Sequence, residues 1–320
     1  MELTSSNYYS VEADREYMSC SQYQRFLACE AAEMAYLSGR YTFPESEALI
    51  VGNYFHTALE SDDAHDEFCN NHFDDIFKYK IDKATGEPII TGKYAPYVKA
   101  DEMIRACIED PLISSLIAMD GESERIMTGE IFGIKWKIAL DKYIPDKRLI
   151  IDWKTAADLT KTEYNPSIGE RESFLEALGY LMRAAVYTEI ERQNANAEDD
   201  ARFVIIAVSK QDPPDKGAYL LNHRDRYDWE LDQIRDKLMR IISVKSGRER
   251  PRRCGSCHYC RSTKKLTKIV PYYVLTPKFR EEKEEEYDDA YLATADLENA
   301  QAEAVREVLP SLQSGDPMDI

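Results

Sequence analysis

The chain has 320 residues, of which 43% are hydrophobic and 11% aromatic, and its 59 acidic and 41 basic side chains give a formal net charge of −18. This length fits one large domain or two small ones, and the composition excludes a disordered or fibrous protein. An evenly spread negative charge would also argue against a nucleic-acid partner, because phosphate binding needs local positive charge.

The charge is not evenly spread along the chain. Residues 237–280 contain 13 Lys and Arg but one acid, whereas residues 281–320 contain 13 acids and two bases. Blocks of like charge mark tails or interaction surfaces. The basic block, which also contains tyrosines, is therefore a candidate for binding the DNA backbone. The acidic block is either a solvated helix end or an arm that binds a partner.

The first residues lack the basic and apolar pattern of a secretion signal, and no apolar run approaches 18 residues. The seven cysteines are odd in number and unevenly spaced, in a chain that is long enough to need no disulfides. These features predict a soluble cytoplasmic protein with no membrane contact.

Hydrophobic periodicity predicts an ordered series of elements. In chain order they are a helix over 19–39, a helix over 45–62, a hairpin or loop insert over 65–100, strands over 125–132, 134–144 and 149–155, a helix over 170–193, a strand over 203–208, a helix over 227–246, a Cys-rich loop and an apolar stretch over 269–275. The three successive strands are expected to be antiparallel. The whole order predicts an α/β core in which helices pack on a mixed sheet.

Polar residues interrupt the second and third predicted strands. Asp141 lies near the end of one, and Asp152 and Lys154 lie two apart on the next, so that the latter two face the same side. Such residues are costly to bury in an apolar run unless they pair or bind a metal. Two converging carboxylates suit Mg²⁺ or Mn²⁺, which activates water for phosphodiester cleavage. The alternative is a surface salt bridge between Asp152 and Lys154.

The order of these residues resembles the PD-(D/E)xK nuclease superfamily, and within it the RecB-type and phage exonucleases similar to exodeoxyribonuclease VIII and lambda exonuclease. Their pattern is a Gly-x-x-x-His helix, an acid on the first strand, an Asp on the second, a D/E-x-K on the third and a Gln-x-x-x-Tyr helix. The matching residues here are Gly52 and His56, Glu130, Asp141, Asp152 and Lys154, and Tyr187, with Arg183 at the position of the Gln.

The resemblance implies a restriction-endonuclease-like core over residues 1–226, a basic Cys-containing helical lobe over 227–277 and an acidic tail over 278–320. It implies that the metal ligands are His56, Asp141, Asp152 and the main-chain carbonyl of Trp153. It also implies that Glu130 and Lys154 complete the catalytic set, and that Arg183 and Tyr187 contact DNA. Without the resemblance, a histidine on a helix face is more often a core residue than a ligand.

The Cys-rich loop carries a second candidate metal site. Cys254, Cys257 and Cys260 have the spacing of thiolates that wrap one ion or cluster. The opening helix resembles that of related exonucleases in which an early cysteine joins three late ones, which implies Cys29 as the fourth ligand, with Cys20 or His258 as substitutes. A [4Fe-4S] cluster, zinc and metal-free thiols all remain open. The flanking candidates for DNA contact are Arg250, Arg252, Arg253, Arg261, Lys264 and Lys265.

Together these features predict a Mg²⁺-dependent DNA exonuclease of phage or prophage type that resects duplex ends for recombination. The resemblance further implies a homo-oligomer that works beside a single-strand annealing protein in the bacterial host cytoplasm. The alternative is a catalytically inactive member of the fold that serves as a DNA-binding or protein-interaction module.

Overall fold

The computed structural model describes residues 1–165, 169–266 and 272. The chain divides into two units, residues 1–262 and residues 263–320. The second unit is described only at 263–266 and Tyr272, so the predicted acidic tail and nearly all of the apolar stretch lie outside the described residues. Within the described part, no helix has both the length and the apolar character needed to cross a membrane.

The first unit contains nine strands and twelve helices among its described residues. The strands are β1 (Phe77–Ile81), β2 (Pro88–Lys93), β3 (Glu122–Ile131), β4 (Ile134–Ile144), β5 (Leu149–Ala156), β6 (Thr162–Asn165), β7 (Glu170–Ser173), β8 (Arg202–Ser209) and β9 (Lys216–Leu221). The helices are α1 (Val11–Glu16), α2 (Cys20–Ala28), α3 (Glu30–Leu37), α4 (Glu47–Glu60), α5 (Asp62–Asn71), α6 (Phe73–Ile76), α7 (Ala95–Ile108), α8 (Pro111–Ala118), α9 (Phe174–Ala177), α10 (Tyr180–Ala195), α11 (Arg224–Lys245) and α12 (His258–Ser262).

A five-stranded mixed sheet with the order β3-β4-β5-β8-β9 forms the centre of this unit. Strands β5 and β8 are parallel, and the other neighbours in the sheet are antiparallel. The connection from β5 to β8 runs through α10, as a parallel pair requires a crossover. The predicted α/β fold with a mixed sheet and flanking helices is confirmed.

Apolar side chains cover both faces of the sheet. On one face the core includes Trp136 of β4, Phe203 of β8 and buried residues of α2, α10 and α11. On the other face Ile151 of β5 packs with residues of α4, α7 and α8. Because β8 is buried on both faces, its sequence is a continuous apolar run, which is typical of a central strand. Each fully buried aliphatic side chain of this kind contributes about 1.5–3 kcal/mol to stability.

Several sequence-based elements differ from the structure. The segment 65–100, predicted as a hairpin or loop insert, contains the β1–β2 hairpin together with α6 and parts of α5 and α7. The helix predicted over 19–39 is interrupted at Cys29, whose extended backbone separates α2 from α3. The helix predicted over 170–193 is divided into strand β7, the short helix α9 and the long helix α10, which begins at Tyr180 after Gly179 adopts a left-handed conformation with φ of 71°. Strand β9 was not predicted. Its half-exposed alternating pattern is weaker than the apolar run of β8.

Helix α11 belongs to the core and not to a separate lobe. Five of its side chains are buried, and these are Tyr227, Ile234, Leu238, Ile241 and Val244. They lie in the same apolar cluster as α10 and β4. The domain boundary expected between residues 226 and 227 therefore does not coincide with the division of the chain, which falls after Ser262.

Candidate active site and cysteine cluster

Strands β4 and β5 form a fork that places two carboxylates opposite each other. The strands pair only at Lys142 with Ile151 and at the two following positions towards the turn. Asp141 and Asp152 would be the next pair in this register, and pairing stops before them. The fork therefore creates an opening in the sheet with one carboxylate on each side.

Lys154 and the backbone of Trp153 connect the two sides of the fork. The Trp153 N–H donates to Asp141 Oδ2 at 2.9 Å. The ammonium of Lys154 lies 3.4 Å from the same oxygen and 2.6 Å from Asp152 Oδ2. It also donates to the Trp153 carbonyl at 2.8 Å. The structure thus brings together Asp141, Asp152, Trp153 and Lys154, as the sequence predicts.

Helix α4 delivers His56 to the same place. The helix begins after Ser46, whose side chain accepts a hydrogen bond from the Leu49 N–H. His56 Nδ1 lies 3.4 Å from Asp141 Oδ2. Burial lowers the pKa of His56, and the nearby carboxylate of Asp141 only partly opposes this effect. The imidazole is therefore predominantly neutral near pH 7, which is the form that binds a metal.

The two carboxylates have different electrostatic surroundings. Burial raises the pKa of Asp152, although Lys154 acts against this effect. Burial also acts to raise the pKa of Asp141, but Lys154 and His56 outweigh it and hold the value below the usual range. In the described part of the chain, neither oxygen of buried Asp152 accepts a well-aligned hydrogen bond, despite the short ion pair with Lys154. A buried carboxylate in this state suits an additional cation.

Helix α10 adds Arg183 to the cluster. Its Nη1 lies 4.0 Å from Asp152 Oδ1, and its side chain is 26% exposed. The Arg183 guanidinium carbon lies 5.7 Å from the centre of the Tyr187 ring. Tyr187 itself is only 6% exposed, so the structure does not present its side chain for the predicted contact with DNA. The guanidinium of Arg183 lies over its ring instead. Arg183 remains accessible to a phosphate.

The structure does not bring Glu130 into the cluster. Glu130 pairs with Lys135 near the turn of the β3–β4 hairpin, six residues along β4 from Asp141, or about 20 Å. Its side chain is exposed there. The structure therefore contradicts the catalytic role expected for Glu130, because a carboxylate at this end of the hairpin cannot reach the fork.

The acid of β3 that lies beside the fork is Glu124, and not Glu130 as expected. Pairing between β3 and β4 omits one position, and there Glu124 is opposite Asp141 with a φ of 48°. Although Glu124 is exposed on β3, the protein around its carboxyl group desolvates it, and this effect, followed by the charges of Asp141 and Glu60, raises its pKa to about 7. Counting the hairpin register back from Asp141 across Gly133 leads to Glu124, so the sequence contained a usable signal.

Tyr9 is a second residue that the sequence analysis missed. Its ring is 74% exposed and meets the ring of buried Tyr8 edge-on at 4.8 Å. The Lys137 ammonium donates to the Tyr8 carbonyl and holds this segment against β4. Although the ring is largely exposed, desolvation of the hydroxyl, followed by the charges of Glu124 and Asp141, raises the pKa of Tyr9 to about 12. No sequence motif marks this residue.

The four predicted cysteines form a second cluster. Among the described residues, Cys29, Cys254, Cys257 and Cys260 bring their sulfurs within 4.8 Å of one another. Cys29 lies at the α2–α3 break, and Cys260 lies on α12. Hydrogen bonds from the backbone N–H groups of Cys257 and Ser256 lower the pKa of Cys254 to about 6. Such a set of thiols can hold a soft metal ion or a cluster.

Cys20 and His258, the two substitute ligands, do not belong to the cysteine cluster. Cys20 is buried at the start of α2, and burial raises the pKa of its thiol to about 12. His258 Nδ1 lies 3.3 Å from the hydroxyl of Tyr41. Neither belongs to the four-residue group, so Cys29 is the residue that the structure adds to the C-x-x-C-x-x-C loop.

The predicted basic residues are exposed. This applies in the first unit to Arg250, Arg252, Arg253 and Arg261, and in the second unit to Lys264 and Lys265. The backbone of Arg252 is docked on α3, because its N–H donates to Glu30 at 2.7 Å and its carbonyl accepts from Ala31 at 3.0 Å. The arginines of the first unit therefore lie beside the cysteine cluster.

Residues 19–263 match the model of a family described as a PDDEXK-like domain of unknown function (DUF3799). The chain belongs to this PDDEXK-like family. The matched range contains both the fork and the cysteine cluster. It confirms the predicted membership of the PD-(D/E)xK superfamily. The assignment of the acid and lysine motif to Asp152 and Lys154 stays a prediction.

The chain is also similar to a solved structure from Eubacterium rectale described as a "Putative exonuclease". The two are 34% identical, the match covers 87% of this chain and 99% of the other, and the TM-score is 0.76. The structure named SSO0001 is 13% identical over 80% of this chain and 88% of its own, and its TM-score of 0.33 supports no argument. No curated protein matches the chain.

Proposed function

We propose that this PDDEXK-like protein is a metal-dependent exonuclease that hydrolyses phosphodiester bonds at DNA ends. One observation carries the proposal: Asp141 and Asp152 face each other where β4 and β5 separate, with Lys154 between them. The similarity to a protein described as an exonuclease supports the same reaction.

The residues at the fork fit a hard divalent cation. Mg²⁺ or Mn²⁺ would be held by His56, Asp141, Asp152 and the carbonyl of Trp153. The fit rests on the buried Asp152 carboxylate, whose oxygens lack aligned donors among the described residues, and on the predominance of oxygen ligands. When bound, such an ion lowers the pKa of water and neutralises charge on the scissile phosphate.

The protein's own side chains would position the DNA and stabilise developing charge. Lys154 is held near the two carboxylates and presents N–H donors to a phosphate oxygen or to the attacking water. Arg183 offers a partly exposed guanidinium, which can bind phosphate through two hydrogen bonds. Tyr9 has an exposed ring on which a base can stack.

The second candidate function is a catalytically inactive DNA-binding or protein-interaction module of the same fold. The complete set of Asp141, Asp152 and Lys154 argues against it, because an inactive module would not need a lysine between two carboxylates. Activity measurements separate the two functions.

The test uses the purified chain with Mg²⁺ and two substrates, end-labelled linear duplex DNA and a covalently closed circle. We expect release of nucleotides from the linear DNA only, loss of cleavage with a chelator, and a decrease of at least about 10²-fold in Lys154→Ala. Lys80→Ala, at an exposed position on β1, is the matched control and should retain full activity. Equal inactivity of the wild type and Lys154→Ala would exclude a nuclease, and cleavage of the circle would exclude an enzyme that requires ends.

Narrower parts of the prediction rest on sequence resemblance and stay predictions. These are end resection in phage recombination, a homo-oligomer, an annealing-protein partner and the bacterial cytoplasm. Light scattering of the purified chain measures the oligomeric state directly, and a monomer would contradict that part.

A further inference from the structure

The spacing of the cysteine sulfurs distinguishes a single ion from an iron–sulfur cluster. Cys29 Sγ lies 3.6 Å from Cys260 Sγ, which in turn lies 3.9 Å from Cys254 Sγ. Four thiolates about 2.3 Å from one tetrahedral Zn²⁺ are about 3.8 Å apart. In a [4Fe-4S] cluster each cysteine binds a different iron at the corner of a cube, which spreads the sulfurs farther apart. We propose that the four cysteines bind one Zn²⁺ ion.

Backbone hydrogen bonds to the sulfurs support this geometry. The Cys257 N–H donates to Cys254 Sγ at 3.3 Å, and the Cys260 N–H donates to Cys257 Sγ at 3.4 Å. Such backbone hydrogen bonds orient metal-bound thiolates and stabilise their charge. The loop thus has the local conformation of a metal-binding turn.

A ligand set of four cysteines is typical of a structural zinc site and not of a catalytic one. Four thiolates fill a tetrahedral shell and leave no position for water or substrate. Cys29 and Cys260 are 5% and 2% exposed and pack with Ala31 and Ala32. The ion would therefore connect the α2–α3 break to the loop before α12, across 225 residues of sequence.

This connection has a consequence for DNA binding that rests on the proposed function. The segment 250–253 carries three exposed arginines and enters the cysteine loop directly. Its backbone contacts Glu30 and Ala31, the residues that follow Cys29. The zinc ion would hold this segment on α3, so that the arginines face DNA from a fixed position.

The first experiment measures zinc, iron and acid-labile sulfide in protein purified under anaerobic conditions. We expect about one zinc per chain, no sulfide and no absorbance near 400 nm. Iron with sulfide in equal amounts would overturn the proposal. The absence of every metal, even after growth with added zinc and reconstitution with either metal, would also overturn it.

Variants separate the ion from its effect on DNA. Cys254→His keeps a zinc ligand but disfavours an iron–sulfur cluster, so it should retain zinc, whereas Cys254→Ser should lose it. Cys69→Ser, outside the cluster, is the matched control and should bind zinc as the wild type does. Tetrahedral cobalt–thiolate bands after substitution with Co²⁺ would support the geometry, and their absence would contradict it.

Binding of uncleaved duplex DNA, measured with Ca²⁺ in place of Mg²⁺, tests the positioning role. We expect zinc-free Cys254→Ser to bind about 5- to 50-fold more weakly, and Cys254→His to bind nearly as the wild type does. Unchanged affinity in folded, zinc-free Cys254→Ser would overturn the positioning role. Failure of the nuclease proposal would be distinguishable, because zinc content and DNA affinity do not depend on cleavage.

Discussion

The two candidate metal centres differ in what holds their ligands together before any ion is bound. At the fork, the ammonium of Lys154 compensates the charge of Asp141 and Asp152, which lie on neighbouring strands, and helix α4 adds His56. At the cysteine cluster, Cys29 and Cys260 come from opposite ends of the first unit, and the cluster packs on apolar residues. The sheet preforms the first centre, whereas the proposed zinc ion would join two distant segments of the chain at the second.

This difference leads to opposite expectations for mutations. Changes at the fork should alter chemistry and leave the fold intact, because the sheet and Lys154 remain in place. Changes at the cysteine cluster should alter stability and DNA affinity, because metal binding to a structural site contributes to folding free energy.

The largest expected effect is that of Asp152→Asn. The substitution preserves shape and removes one charge from the fork, so we expect cleavage to fall by about 10²–10³-fold or more. Because burial already disfavours the charged form of Asp152, the melting temperature should not decrease. Rates on labelled duplex and thermal unfolding measure the two effects. A variant that unfolds or no longer binds DNA would show that Asp152 is structural.

Substitutions of Glu124 and Glu130 should have a smaller effect on the cleavage rate, and they test which of the two acids lies at the fork. Glu124→Gln should reduce cleavage by about 10-fold or more, because Glu124 is opposite Asp141 in the β3–β4 register. Glu130→Gln is the matched control, and its rate should equal that of the wild type. The reverse result would show that the register assigned to the hairpin does not describe the active enzyme.

The partly buried side chain of Lys245, at the end of α11, should make the stability of the protein depend on pH. Its ammonium donates to the carbonyls of Asp14 and Tyr17 and to Gln22 Oε1, at 2.7, 3.2 and 3.0 Å. Burial lowers the pKa of Lys245 to about 8, compared with about 10.4 in an unfolded chain. Between these values the unfolded chain binds a proton that the folded chain does not bind, so this group makes stability rise with pH.

The control for this pH effect is Lys245→Met. From about pH 8 to about pH 10, the free energy of unfolding of the wild type should increase relative to that of the variant by on the order of 1–2 kcal/mol. Denaturant titrations at several pH values measure this difference. A difference that does not change with pH would contradict the lowered pKa of Lys245.

The smallest effect is expected from single arginines beside the cysteine cluster. Arg250→Ala should weaken duplex binding only a few-fold and reduce the slope of log K against log salt by about 0.9, the value for one phosphate contact. Arg235→Ala, an exposed position on α11 that pairs with Asp232, is the control. An unchanged slope in Arg250→Ala would place DNA away from this segment.

The residues that the sequence placed in one short motif lie close together in the structure. Asp141, Asp152 and Lys154 lie within 14 residues, and strand periodicity alone indicates that Asp152 and Lys154 share a face. Glu130 was misplaced because the motif specifies an acid on β3 without specifying its register. The helix over 19–39 was predicted as continuous because apolar periodicity extends through Cys29, whose extended backbone has no sequence signal of its own.

Periodicity and short-range spacing were enough to predict the α/β class, the Asp and Lys motif and the three clustered cysteines, because none of these depends on distant contacts. The packed structure was needed to show that His56 lies near Asp141, that Glu124 and not Glu130 is opposite Asp141, that Tyr187 is buried and that the Cys29 sulfur joins the other three. These are contacts between distant segments. Strand register, helix packing and the break between α2 and α3 set them, and each is a property of the packed core.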